Sequence, residues 1–86
     1  MDNTVYTIGE VLDINTNKRK ERFFDIIGKK VKIILLEENK NMILSFEDED
    51  NVMRSTTVSE VDQTDYGFWV TTKNSMYRLD TDGFYS

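Results

Sequence analysis

The sequence predicts one small, mostly β domain over residues 1–86: a strongly bent sheet of five or six short strands with one short helix. Three observations lead there. Apolar residues alternate with polar ones in short stretches, the period-two signature of half-buried strands. Those stretches are separated by clusters of Asn, Asp, Gly and Lys that suit turns. A chain of 86 residues is also too short to divide into two self-sufficient cores.

Over 5–14 the apolar side chains Tyr6, Ile8, Leu12 and Ile14 fall on alternate positions, and the interruption at Gly9 and Glu10 marks a bulge or bend. Asn15, Thr16 and Asn17 then offer capping groups before 18–27. Within that segment Phe23, Ile26 and Ile27 share a face at helical spacing, and Gly28 supplies a stop, which predicts the helix. Stretch 30–36 is rich in β-branched residues, and 41–46 resumes the apolar character after Glu37, Glu38, Asn39 and Lys40, so the two read as a hairpin. The acidic run 47–50 opens the next connection. Stretch 52–61 has strand propensity but a weak hydrophobic face and is expected as an edge or half-exposed strand. A turn follows at 62–67. A last hairpin, 66–72 with 75–79, is expected to turn at Lys73 and Asn74, with the asparagine taking the left-handed conformation such turns need. Closing these strands on themselves removes open edges, which favours an SH3-like or Sm-like barrel, with an OB-type barrel as the alternative.

Composition excludes several chemistries. Without cysteine or histidine the chain has no disulfide, thiolate nucleophile, imidazole base or zinc site of the usual ligands. No glycine-rich phosphate loop, nucleophile elbow or metalloprotease motif occurs, so neither an enzyme nor a cofactor is expected. Asp80, Thr81, Asp82 and Gly83 have the carboxylate spacing that opens a calcium loop, but the glycine is too early and no distal glutamate follows, so no metal is expected. The first residues show no positively charged leader, and the aliphatic run 33–36 is too short to cross a bilayer, so a cytoplasmic protein without membrane contact is expected.

Charge divides unevenly. Residues 1–46 carry eight basic and seven acidic side chains, whereas 47–86 carry three and nine, for a net charge of -5. Two charged candidates result. Lys18, Arg19, Lys20, Arg22, Lys29, Lys30 and Lys32, interleaved with Phe23 and Phe24, have the cations and aromatics that nucleic-acid binding requires. The competing reading places the phenylalanines in the core and the cations in solvent. Glu47, Asp48, Glu49 and Asp50 form either an electrostatic contact for a partner or a solvated loop.

The third candidate is aromatic. On a period-two ribbon Phe68 and Val70 share one face and Trp69 takes the other. If the first face is the core, Trp69 is left at least partly uncovered and, with Tyr66, becomes an anchor for another protein; the alternative is that Trp69 caps the barrel.

Two segments, Arg54 with Ser55, Thr56, Thr57, Val58, Ser59, Glu60 and Val61, and then 67–79 with its Asn74, Ser75, Met76 and Tyr77, together resemble the tail of small accessory β proteins encoded by phages and mobile elements of Gram-positive bacteria. The resemblance implies a compact β protein whose role is often unassigned or is interference with a host process, host defence included, and it carries over no functional residue. The expected function is therefore a non-catalytic binding protein that docks on a host or self protein and modulates or inhibits it. A nucleic-acid-binding barrel using the basic stretch is the alternative, and a homodimer or larger homo-oligomer built through an edge strand is the third.

Overall fold

The computed structural model describes residues 4–19 and 25–81. Its elements are β1 (Val5–Asp13), β2 (Lys30–Leu35), β3 (Asn41–Phe46), β4 (Val52–Thr64), β5 (Gly67–Thr72) and β6 (Ser75–Thr81). Each pairs antiparallel with the next, and β6 pairs back to β1, so the six strands close into a ring.

Alternation decides what the ring encloses. Tyr6, Ile8 and Val11 of β1, Met42, Leu44 and Phe46 of β3, and Tyr77 and Leu79 of β6 point inward with Val31, Val58 and Val70 to form the core. Each such side chain contributes about 1.5–3 kcal/mol by leaving water. In β1 the inward positions Ile8 and Val11 are three apart because the register shifts between Ile8 and Glu10, so Gly9 does mark a bulge.

Another bulge lies in β4, where Ser55 and Thr56 together oppose Met42 of β3, and the Met42 N–H turns to a side chain. The buried Ser55 hydroxyl accepts from that N–H at 3.0 Å and donates to the Thr56 carbonyl at 2.7 Å. Ser55→Ala is therefore expected to lower stability by about 1–3 kcal/mol, the cost of an unsatisfied buried donor. Urea unfolding of the two proteins would check this, and equal midpoints would refute it.

Several expectations are corrected. No helix occurs in the described part of 18–27: Arg19 bridges to Leu12, and Asp25 to Gly28 form a turn. Lys20, Glu21, Arg22, Phe23 and Phe24 lie outside the described residues. Tertiary ties hold the turn. Gly28 N–H donates to the Ile8 carbonyl at 2.7 Å and Ile8 N–H to that of Lys29 at 3.0 Å, while Ile26 and Ile27 pack against the core from it. Gly28 itself has φ +93°, which favours glycine.

β4 runs on through Asp62 to Thr64, where a turn was expected. It is not an edge strand along its whole length, because Val52 to Thr57 lie against β3 and Val58 to Thr64 against β5. The final hairpin does turn at Lys73 and Asn74, yet Asn74 is not left-handed; the described non-glycine residues that are left-handed are Asn17 and Asn39. Neighbours shape that turn instead. The Thr72 hydroxyl bonds both N–H and C=O of Ser75, Lys73 N–H donates to the Thr57 carbonyl, and Ile14 N–H donates to that of Asn74. Among the described residues no helix is long and apolar enough to cross a membrane.

Candidate functional site

The outer face of β4, β5, β6 and β1 carries a row of side chains set by strand register. Asp62 pairs with Trp69, Trp69 with Arg78, and Arg78 with Glu10. Trp69 is half-buried at the centre of this row, while the inward neighbours Phe68 and Val70 pack with the core, so the faces divide as the alternation predicts. In the adjacent row, Leu12 pairs with Met76 and Met76 with Thr71, all half-buried, which extends an apolar strip beside the tryptophan.

Carboxylates hold the cations of the row. Arg78 donates from Nε to Asp80 Oδ2 at 3.0 Å, and the Asp80 side chain is only 5% exposed. The pair lies over Gly9, where a Cβ would overlap the Asp80 carboxylate and come within 2.6 Å of Arg78 Nη2, so the bulge has to carry a glycine for this pair to close.

Beyond Glu10, the Asp13 carboxylate accepts from the N–H groups of Asn15 and Thr16, Asn17 turns left-handed, and the chain returns along β1 with Asp13 N–H donating to the Lys18 carbonyl. That return places the Arg19 guanidinium on Glu10 in a fork, Nε to Oε1 at 2.6 Å and Nη2 to Oε2 at 2.8 Å. The hydrogen bonds from Arg19 hold the Glu10 carboxyl below the usual value of 4.5, with further help from the charges of Arg19 and Arg78 and the Val11 N–H, against the opposing effect of burial.

Folded Glu10 thus keeps its charge to lower pH than it does in the unfolded chain. Its contribution is complete above the ordinary glutamate range and is lost as pH falls through the lowered value. Accordingly, Glu10→Gln should be destabilising near about pH 7, and the gap from wild type should close towards about pH 3. Denaturation midpoints across that range test it; a gap that stays constant would rule it out.

The two charged candidates meet each other. Lys29 Nζ lies 2.8 Å from Glu49 Oε1 and 5.5 Å from the Phe46 ring centroid, and Lys32 Nζ lies 3.7 Å from Glu47 Oε2. The hydrogen bond from Lys29 lowers the Glu49 carboxyl below its usual value. Half of the acidic run is therefore occupied by the basic stretch, while Asp48 and Asp50 remain exposed. Of the other cations, Arg19 is held by Glu10, Lys18 and Lys30 are exposed, and Lys20 and Arg22 lie outside the described residues.

Tyr66, 50% exposed, sits on the turn between β4 and β5, where its carbonyl accepts from Thr81 N–H at 2.6 Å. β4 separates this aromatic end from the acidic loop, which precedes its first half, whereas Tyr66 and Trp69 follow its second. Among the described residues no group of three or more carboxylates converges as metal ligands, and Asp80 is engaged by Arg78.

Sequence reasoning overlooked Asp62, Arg78 and Glu10 as members of this row, and it grouped Arg19 with the cations for nucleic acid rather than with Glu10. Counting outward from the turn at 73–74 would have found Arg78 opposite Trp69. The link to Glu10 depends on the bulge and the ring closure. Comparison with protein-family models, curated proteins and solved structures finds no match.

Proposed function

We propose that this chain is a non-catalytic binding protein that docks on another protein through the outer face of the β5–β6 hairpin and alters that partner by occlusion. One observation carries the reading: Trp69 stands half-buried on the outside of a barrel whose core is filled without it, between Asp62 and Arg78. An amphipathic aromatic ringed by polar groups is the usual centre of a protein interface. Exposed Tyr66 lies at the end of the same hairpin, and Asp48 and Asp50 offer a separate electrostatic contact. The pairing of Arg19, Lys29 and Lys32 with carboxylates supports a protein partner over nucleic acid, whose phosphates would have to displace those pairs.

The consecutive strand order supports an SH3-like or Sm-like barrel over the OB type, which is a Greek-key arrangement. The resemblance of 54–61 and 67–79 supports a phage or mobile-element accessory protein acting in a host cytoplasm, on a host or self protein.

The test is affinity recovery from a nuclease-treated Gram-positive lysate, with Trp69→Ala shown by circular dichroism to be folded. Wild type should retain one partner, and the variant should bind it about 30-fold more weakly, equivalent to ~2 kcal/mol. Equal retention by both proteins would exclude the hairpin as the contact. Retention only while nucleic acid is intact would favour the basic stretch instead.

A further inference from the structure

β4 is 13 residues long, and each half of it has a ladder on one side only. On the β3 side the ladder ends where Asn39 N–H donates to the Val58 carbonyl at 2.8 Å and Val58 N–H to that of Lys40 at 2.9 Å. Past that point, among the described residues, no strand lies beside 59–64 on that side. Ser59, Glu60, Asp62 and Gln63 are exposed there, while Val61 packs against the core and keeps the stretch extended. Ser59 is a bulge against β5, and from Glu60 to Thr64 the strand pairs regularly with β5 while its other edge is bare, a template for a further strand.

Register specifies what that strand must carry. Glu60 pairs with Thr71 and Asp62 with Trp69, so both carboxylates lie on the outer face, and exposed Asp65 follows in the turn. Lys40, at the near end, is held by Glu37 at 2.8 Å. A second copy adding antiparallel through this edge would bring Glu60 and Asp62 of one molecule against those of the other, and like charges in facing positions destabilise a sheet. The edge thus disfavours itself and favours a cationic strand. Neighbouring strands are roughly 4.8 Å apart, so a long cation opposite Asp62 would also come within reach of the Trp69 ring two strands away.

We infer that the 59–64 edge of β4 accepts a basic extended segment of a partner protein as a seventh strand, with Lys or Arg at alternate positions facing Glu60 and Asp62. The inference rests on the docking reading above and names the mode and chemistry of that partner.

Two synthetic peptides of about eight residues, an ordinary strand length, serve as probes: one alternates Lys with Thr or Val, and the other has Glu in place of Lys. With wild type, the lysine peptide should slow amide exchange across 59–64. Its affinity should fall about tenfold or more in Glu60→Lys/Asp62→Lys, which should prefer the glutamate peptide. Both substitutions are on exposed side chains, and circular dichroism confirms folding. Equal affinity for both peptides, no binding of either, or protection confined to other amides overturns the inference. A lysate partner that the double variant retains as well as wild type does also overturns it but leaves the docking reading intact. Peptide binding that persists alongside a lysate partner indifferent to Trp69→Ala supports the edge and removes the hairpin anchor.

Discussion

Gly67→Ala is expected to cost about 4 kcal/mol or more, enough to unfold much of the protein, since small domains are stable by only about 5–15 kcal/mol. A Cβ at Gly67 would overlap the Leu79 carbonyl oxygen and lie 2.9 Å from its carbon and 3.2 Å from the Asp80 Cα. These are backbone atoms of the paired strand, because Gly67 faces Asp80 in the β5–β6 ladder. Neither can swing aside. The neighbouring bond from Thr81 N–H to the Tyr66 carbonyl clamps the two chains where the methyl group would push them apart. Relief requires separating β5 from β6, and β6 is also the strand that closes the ring on β1. Loss of dispersed amide signals or of a cooperative urea transition would be the observed result. Cooperative unfolding within about 1 kcal/mol of wild type would show that the strands yield more easily than the close approach implies.

Leu44→Ala should destabilise by about 2–5 kcal/mol while preserving the fold. Leu44 is fully buried in the middle of β3, facing Ile33 of β2 and Met53 of β4 in the two ladders. The loss adds a residual cavity to the lost transfer energy, because the ring of strands limits how far the wall can collapse into the space. The urea midpoint should drop with little change in slope, as the same surface is exposed on unfolding. A midpoint shift worth less than about 1 kcal/mol would mean that the barrel contracts to fill the gap.

The two substitutions probe different parts of the same function. Gly67 begins the hairpin that presents Trp69, so the close packing that makes it irreplaceable also holds the tryptophan's strand in register with Arg78. Leu44 lies in the sheet opposite, remote in sequence from the proposed interface. A Leu44→Ala protein that remains folded should therefore keep its partner affinity, whereas Trp69→Ala should not.

Much was determined by the sequence alone. Alternation in 5–14 and 66–79 and the resumed apolar character of 41–46 located strands, and parity assigned the faces of the last hairpin. In 5–14 it grouped Leu12 with Tyr6 and Ile8, whereas the Gly9 bulge turns Val11 inward instead. The same parity put Trp69 opposite in sense to Phe68 and Val70, and the absence of cysteine and histidine removed whole classes of chemistry. Tertiary structure decided the rest. Phe23, Ile26 and Ile27 have helical spacing, but Ile26 and Ile27 reach the core from a turn tied to β1 by Ile8, Gly28 and Lys29, and local periodicity does not register bonds to a distant strand. The polar stretch after Val58 looked like an edge giving way to a turn; it became the second half of a strand that changes partners, with Val61 inside and Glu60 and Asp62 outside. Charge read along the chain separated a basic stretch from an acidic one, and folding brought Lys29 and Lys32 to Glu49 and Glu47. Pairings of this kind depend on ring closure and on bulges at Gly9, Ile34, Ser55 with Thr56, and Ser59, each of which shifts every later side chain relative to its neighbour, and such shifts are set by the strand alongside rather than by the residues that make them.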